Sequence, residues 1–324
     1  MKADNNGPQF LIMLLKFIEG KAAATFVVLA GVGVSLMTKN WNETNKWNLR
    51  KKLMKRSLFL FLVGLIFMSI WTADILHFYA FYMIIAAFLF TVNSQSLIKW
   101  GIVFVVAFLL LLAIIDYNSG WDFNSLEYTD FWTLNGMLRS IFYNGFHSVF
   151  PWASFLIVGM WLGRQNIQDV ETQNKILYMG IILLIASTLL SFIGNYLFNF
   201  KDAKYVFGTQ PLPPFPLFIM MGVGTAFVII ILSVQITIKW ARSALIIWMV
   251  ETGQLAMTSY IAHIVVGLGL LEVMGLLYLD QGLSLWFALG YSIFFYFALI
   301  VFSHYWKRHY LRGPLEELMR KLTT

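Results

Sequence analysis

Residues 146–164 read FHSVFPWASFLIVGMWLGR, and their character decides the fold. A histidine, His147, stands at the mouth. Phe150-Pro151-Trp152 follows, then an apolar run that closes on Gly163-Arg164. The run is long enough to enter the roughly 30 Å hydrocarbon layer of a bilayer and carries almost no charge. Over all 324 residues, 59% are hydrophobic and only 12% charged. A soluble domain carries about twice that charge fraction. The chain therefore reads as an all-α, polytopic membrane helix bundle. It has no cysteine, which excludes disulfides, thiolate metal sites and cysteine nucleophiles.

Working outward from this span, apolar stretches recur at about 22–38, 57–72, 75–93, 99–116, 148–163, 176–199, 217–238, 253–275 and 285–306. That pattern predicts nine spans in one domain over 1–324. An interfacial helix at 9–20 precedes them, and a cytoplasmic tail at 307–324 follows. Apolar residues 10–37 also carry Lys16, Glu19 and Lys21, while Gly31 and Gly33 offer a small-residue face for close helix packing. The stretch 39–56 is expected to be a basic loop. Segment 117–146 is too polar to span, and 201–216 is a Pro-rich loop.

Charge sets the expected orientation. With loop 39–56 inside, seventeen of the 23 Lys and Arg residues fall on the inner side, and only Arg139, Lys201 and Lys204 fall in outer loops. The positive-inside rule then puts the N-terminus outside and the C-terminus in the cytoplasm. An external N-terminus without a signal sequence predicts a further hydrophobic helix upstream of residue 1. The net charge of +7 is a topological signal and does not point to nucleic acid.

Ionisable groups inside spans cost at least a few kcal/mol unless satisfied, so each is a candidate site residue. His263 lies near the middle of the eighth predicted span. Thr252, Ser259 and His263 are spaced by seven and four, which places them on one helical face. His263 can act as a base or a substrate contact near neutral pH. The alternative is a packing histidine tied to Ser259. His77 follows Asp74 by three residues, so the carboxylate could orient the ring, although Asp74 also suits a helix cap. His147 and His77 belong to the same outer face by this reading, half a membrane from His263. Pro151 and Trp152 have ordinary helix-start and interfacial explanations, and Trp152 is also a candidate substrate contact. Glu251 suits the N-terminus of the eighth span. Arg164, His304 and the basic stretch with Arg50, Lys51 and Lys52 either bind phosphates or fix topology. No HExxH, GxSxG or Gly-rich phosphate loop occurs, so no metal is expected.

Five stretches in order are similar to one family: FIEGKAAATFVVLAGVGVSLM (17–37), RSLFLFLVGLIF with ADILHFYAFYMI (56–84), FHSVFPWASFLIVGMWLGR (146–164), GQLAMTSYIAHI (253–264) and RGPLEELMRKLT (312–323). Together they resemble the bacterial YeiB-like, DUF418-type membrane proteins. These share a transmembrane acyltransferase superfamily with heparan-alpha-glucosaminide N-acetyltransferase. The resemblance implies transfer of an acyl group, such as acetyl, from cytoplasmic acyl-CoA to a sugar or other envelope acceptor across a bacterial inner membrane. It implies His263, His147 and His77 as bases, with Asp74, Ser259, Thr252 and Trp152 near substrate. Arg50, Lys51, Lys52 and Arg164 would face CoA phosphates. Relatives usually begin with one more helix carrying an Arg-Gly element, which agrees with the expected upstream helix. A carrier for a small lipid-like or sugar substrate is the competing reading. Membrane lipids are the implied surroundings, and a homo-oligomer is compatible with the sequence.

Overall fold

The computed structural model describes residues 8–123, 125–198, 200, 202–276 and 283–323. Helices dominate. In order they are α1 (Gln9–Ile18), α2 (Lys21–Thr38), α3 (Lys46–Met68), α4 (Leu76–Leu89) and α5 (Ser94–Ile114). A two-stranded hairpin, β1 (Trp121–Asp122) against β2 (Glu127–Tyr128), precedes α6 (Leu134–Arg139). A π turn at Ser140–Asn144 leads to α7 (Val149–Leu162), and then come α8 (Val170–Leu197), α9 (Ala203–Val206) and α10 (Pro216–Lys239). The C-terminal part holds α11 (Ala244–Gln254), α12 (Ala256–Ala262), a π turn at His263–Leu268, α13 (Gly269–Val273), α14 (Leu285–His309) and α15 (Pro314–Thr323). The chain is a polytopic helical membrane protein.

Among the described residues, six helical segments are long and apolar enough to cross a membrane, or seven if Leu134–Asn144 and Val149–Leu162, bent by 48°, form one span. The other two of the nine expected spans are helices of a different kind. α3 carries Lys51, Lys52, Lys55 and Arg56 within its length, and α4 has only 14 residues. The basic stretch expected as a loop is helical from Lys46 onward, so its cations line the first turns of α3. The eighth span differs most. The apolar segment is Ala256–Val273, which passes through a π turn. The chain breaks at Leu255 after α11 (Ala244–Gln254), so Thr252 and Ser259 lie on separate helices and do not share a continuous face. Glu251, expected to open that span, instead lies near the C-terminus of α11.

The chain contacts divide into two compact units: residues up to Ile18 with Gln235–Thr324, and Glu19–Val234. In the larger unit, α7 is the central element. α2, α4 and α5 all pack on it, and α3 packs on α4. Eleven of the fourteen residues of α7 are buried, among them Trp152, Phe155, Leu156 and Met160. Glycine makes this closeness attainable. A methyl at Gly31 of α2 would run into the Leu156 carbonyl, and one at Gly159 of α7 would meet the Val28 carbonyl. The two backbones touch where neither residue has a side chain, the packing that small residues allow in membranes. Gly64 of α3 plays the same part against the backbone of His77, so α3 presses directly on the start of α4.

In the smaller unit, α11 packs on α14 and α12 on α15. The break at Leu255 exposes the first amides of α12, which a helix start must satisfy. Glu316 of α15 accepts from the backbone N–H of Met257 at 2.8 Å and of Thr258 at 3.0 Å, and from the Thr258 hydroxyl at 2.5 Å. The RGPLE stretch thus supplies the cap for the interrupted helix.

Candidate active site

The larger unit gathers polar side chains where α4 and α7 begin. Asp74 precedes α4, and its Oδ2 accepts the backbone N–H of Leu76 at 2.8 Å. The same oxygen faces Nδ1 of His77 at 3.2 Å, and both side chains are fully buried. One carboxylate therefore holds the start of the helix and orients the ring. Facing an ionised carboxylate, which only accepts, a neutral His77 donates through Nδ1 and keeps its lone pair on Nε2. That Nε2 is buried and has no hydrogen-bond partner among the described residues.

His147 joins the same group through aromatic contacts. The Phe78 ring lies 3.9 Å from the His77 ring and 6.0 Å from the His147 ring, centroid to centroid. Trp152 meets His147 edge-on at 4.5 Å. Nδ1 of His147 and Nε1 of Trp152 are likewise buried without a partner. The backbone around His147 is firmly held. Its carbonyl accepts from the Tyr82 hydroxyl at 2.5 Å, and the Ser148 hydroxyl donates 2.7 Å bonds to the carbonyls of Tyr143 and Phe150. The structure thus places His77, Asp74, His147 and Trp152 in one neighbourhood, with three unsatisfied ring nitrogens. Buried polar groups are normally paired, so such exceptions ask for an explanation.

Several supporting residues escaped the sequence reading. Asn144 is fully buried. It donates to the carbonyls of Tyr117 and Ser119, each at 2.8 Å, and accepts from the Tyr128 hydroxyl at 2.6 Å. Arg139 donates to Tyr128 at 2.8 Å and to both Asp130 oxygens, at 2.7 and 2.6 Å. Burial raises the Tyr128 phenol, and its bonds to Arg139 and Asn144 pull the other way. This network ties the hairpin to the turn that precedes His147. The polar-aromatic composition of 117–146 was the signal that could have pointed to it.

The cations expected to face CoA are divided. Arg50 donates to the Ala87 carbonyl at 2.8 Å, and Arg164 to those of Val92 at 2.5 Å and Phe90 at 2.9 Å. Both satisfy carbonyls at and just beyond the C-terminal end of α4, where a positive charge is favourable. Lys51 is exposed over the Trp47 ring, and Lys52 is partly exposed. The C-terminal end of α4, at Leu89, lies about 18 Å along the helix from His77.

His263, Ser259 and Thr252 belong to the smaller unit. His263 is partly buried, and its Nδ1 contacts the Tyr260 carbonyl one turn earlier. Thr252 donates back to the Trp248 carbonyl at 2.8 Å, a bond within its own helix. Among the described residues no three His, Asp or Glu side chains converge as metal ligands.

A family described as Heparan-alpha-glucosaminide N-acetyltransferase, catalytic, matches residues 7–199. The chain belongs to that membrane acetyltransferase-type family. The C-terminal part, residues 162–324, matches a second family, described as Protein of unknown function (DUF418). Asp74, His77, His147 and Trp152 fall within the part matched to the acetyltransferase family, and His263 and the Glu316 cap within the DUF418 part. No curated protein and no solved structure matches the chain.

Proposed function

We propose that this member of the acetyltransferase family moves an acyl group from cytoplasmic acyl-CoA, acetyl-CoA foremost, to a sugar or other envelope acceptor at the bacterial inner membrane. The observation that carries the reading is the Asp74–His77 pair, with its ring nitrogen left unpaired inside the part matched to the acetyltransferase family. Acyl transfer needs a base whose lone pair is available and whose tautomer is fixed. Asp74 fixes the tautomer, and Nε2 of His77 holds the lone pair. The acceptor amine or hydroxyl attacks the thioester carbonyl carbon while Nε2 takes its proton. The carbon–sulfur bond breaks, and the sulfur leaves with the electron pair and takes that proton from the imidazolium. The indole N–H of Trp152, beside His147, is a donor suited to the developing oxyanion. With Arg50 and Arg164 engaged at the end of α4, Lys51 and Lys52 are the cations left for the CoA phosphates.

The experiment is release of CoA from acetyl-CoA by purified protein in proteoliposomes, with and without an amino-sugar acceptor. The expected result is acceptor-dependent release. No release and no acetyl-CoA binding would reject the reading. A carrier without acyl chemistry is the competing function. It draws on the interrupted helix at Leu255, because broken helices offer amides to substrates. Here Glu316 of the chain itself already takes those amides.

A further inference from the structure

α15 begins where a candidate membrane span ends. α14 is long and apolar enough to cross a bilayer. It closes on Trp306, Lys307, Arg308 and His309, an aromatic and basic set that suits the headgroup level. Residues 310–313 then fold back on that end. The Trp306 ring stacks on Tyr310 at 4.4 Å, and its Nε1 donates to the Arg312 carbonyl at 2.8 Å. Nζ of Lys307 donates to the Leu311 carbonyl at 2.6 Å. These contacts hold the start of α15 close to the end of the span. With ten residues, four of them charged, α15 is too short and too polar to cross. Its two sides differ. Glu316 faces α12 and accepts from the amides of Met257 and Thr258. Leu318 stands two positions on, on the opposite side of the helix, and Leu322 follows one turn later on that same side. Both are exposed, at 45% and 61%, and Leu311 in the preceding turn is exposed at 83%. The charge beside them is positive. Arg320 and Lys321 are exposed, whereas both carboxylates of α15 are engaged, Glu316 on α12 and Glu317 with Arg312 at 3.1 Å.

An apolar edge flanked by exposed cations, next to the end of a span, complements one kind of surface, the acyl-chain and headgroup boundary of an anionic membrane. We propose that α15 docks on anionic phospholipid, with Leu318 and Leu322 among the acyl chains and Arg320 and Lys321 on the headgroup phosphates. The positive-inside rule assigns this end of the chain to the cytoplasmic leaflet. The docking reaches the interior of the smaller unit through Glu316. Lipid that seats α15 also seats the carboxylate that caps the break at Leu255. This lipid binding does not depend on the acyl-transfer reading.

The chain has no cysteine, so Leu318→Cys places a single fluorophore on the docking face of the full chain. The protein is reconstituted in vesicles of phosphatidylcholine with a minor share of phosphatidylglycerol. In parallel samples, a small and equal fraction of one lipid or the other carries a nitroxide quencher in its acyl chain. Both lipids should quench the label. Phosphatidylglycerol should do so about fivefold more effectively, the gain expected of a cation at an anionic surface. Arg320→Gln combined with Lys321→Gln should abolish that preference and leave quenching by phosphatidylcholine in place. High salt should weaken the preference. Leu322→Cys gives the same readout from the same face if Leu318→Cys fails to fold. A label that neither lipid quenches overturns the proposal, and if it is also shielded from an aqueous quencher, protein covers the face. Equal quenching by the two lipids overturns it too, as does a preference that survives the double variant.

Discussion

The two units each hold a carboxylate–histidine pair, and the pairs differ in what the second ring nitrogen does. In the smaller unit, His304 places Nδ1 2.8 Å from Glu251, and its Nε2 receives Arg308 at 3.0 Å. Trp248 stacks on the ring at 4.3 Å. Both nitrogens are engaged, so this imidazole has no lone pair to offer. In the larger unit, Asp74 takes one nitrogen of His77 and nothing among the described residues takes the other. On the acyl-transfer proposal, the satisfied histidine holds helices together and the unsatisfied one serves the chemistry.

Removing each histidine is the sharpest way to break the comparison. His77→Ala should lower the turnover number for acetyl transfer about a hundredfold or more, the contribution of a positioned base. His304→Ala should leave turnover near wild type. It should cost about 1–3 kcal/mol of stability, read as a lower melting temperature in detergent, because Glu251 and Arg308 lose a shared partner. Equal losses of turnover in the two variants would erase the distinction. Glu316→Gln comes next. Losing the charged cap on α12 should destabilise the protein by about 1–3 kcal/mol while retaining acetyl transfer. Ser259→Ala is the smallest, expected within about 0.5 kcal/mol and without effect on turnover, since the break at Leu255 leaves Ser259 outside a shared face with Thr252.

Much of the fold was legible in the sequence. Apolar runs marked the helices, and the small residues of α2 foretold a close crossing, although the partner residue, Gly159, needed the structure. The kinship with membrane acetyltransferases was legible in the order of five stretches, and the family matches show it. The site was legible in part. The i, i+3 spacing of Asp74 and His77 offered a helix cap, the preferred reading for Asp74, or an oriented ring, and the carboxylate makes both contacts. The meeting of His147 with His77 through Phe78 could not be read, because it depends on how α4 and α7 cross. The shared face of Thr252, Ser259 and His263 assumed one continuous eighth helix, and the break at Leu255 removes it. The sequence carries no obvious breaker at Leu255, since the interruption is stabilised by Glu316, about sixty residues away in the chain. Arg50 and Arg164 looked like topology or phosphate cations because their actual partners, backbone carbonyls at and just beyond the end of α4, have no sequence signature.

The central claim is that the unpaired Nε2 of His77 takes the acceptor's proton. The most direct test is acetyl transfer from radiolabelled acetyl-CoA, measured for wild type and His77→Gln in preparations of matched melting temperature. Glutamine keeps much of the side chain's bulk and polarity but supplies no base. The wild type should transfer label, and the variant, although folded and able to bind acetyl-CoA, should transfer about a hundredfold less. A folded His77→Gln protein with wild-type transfer would contradict it.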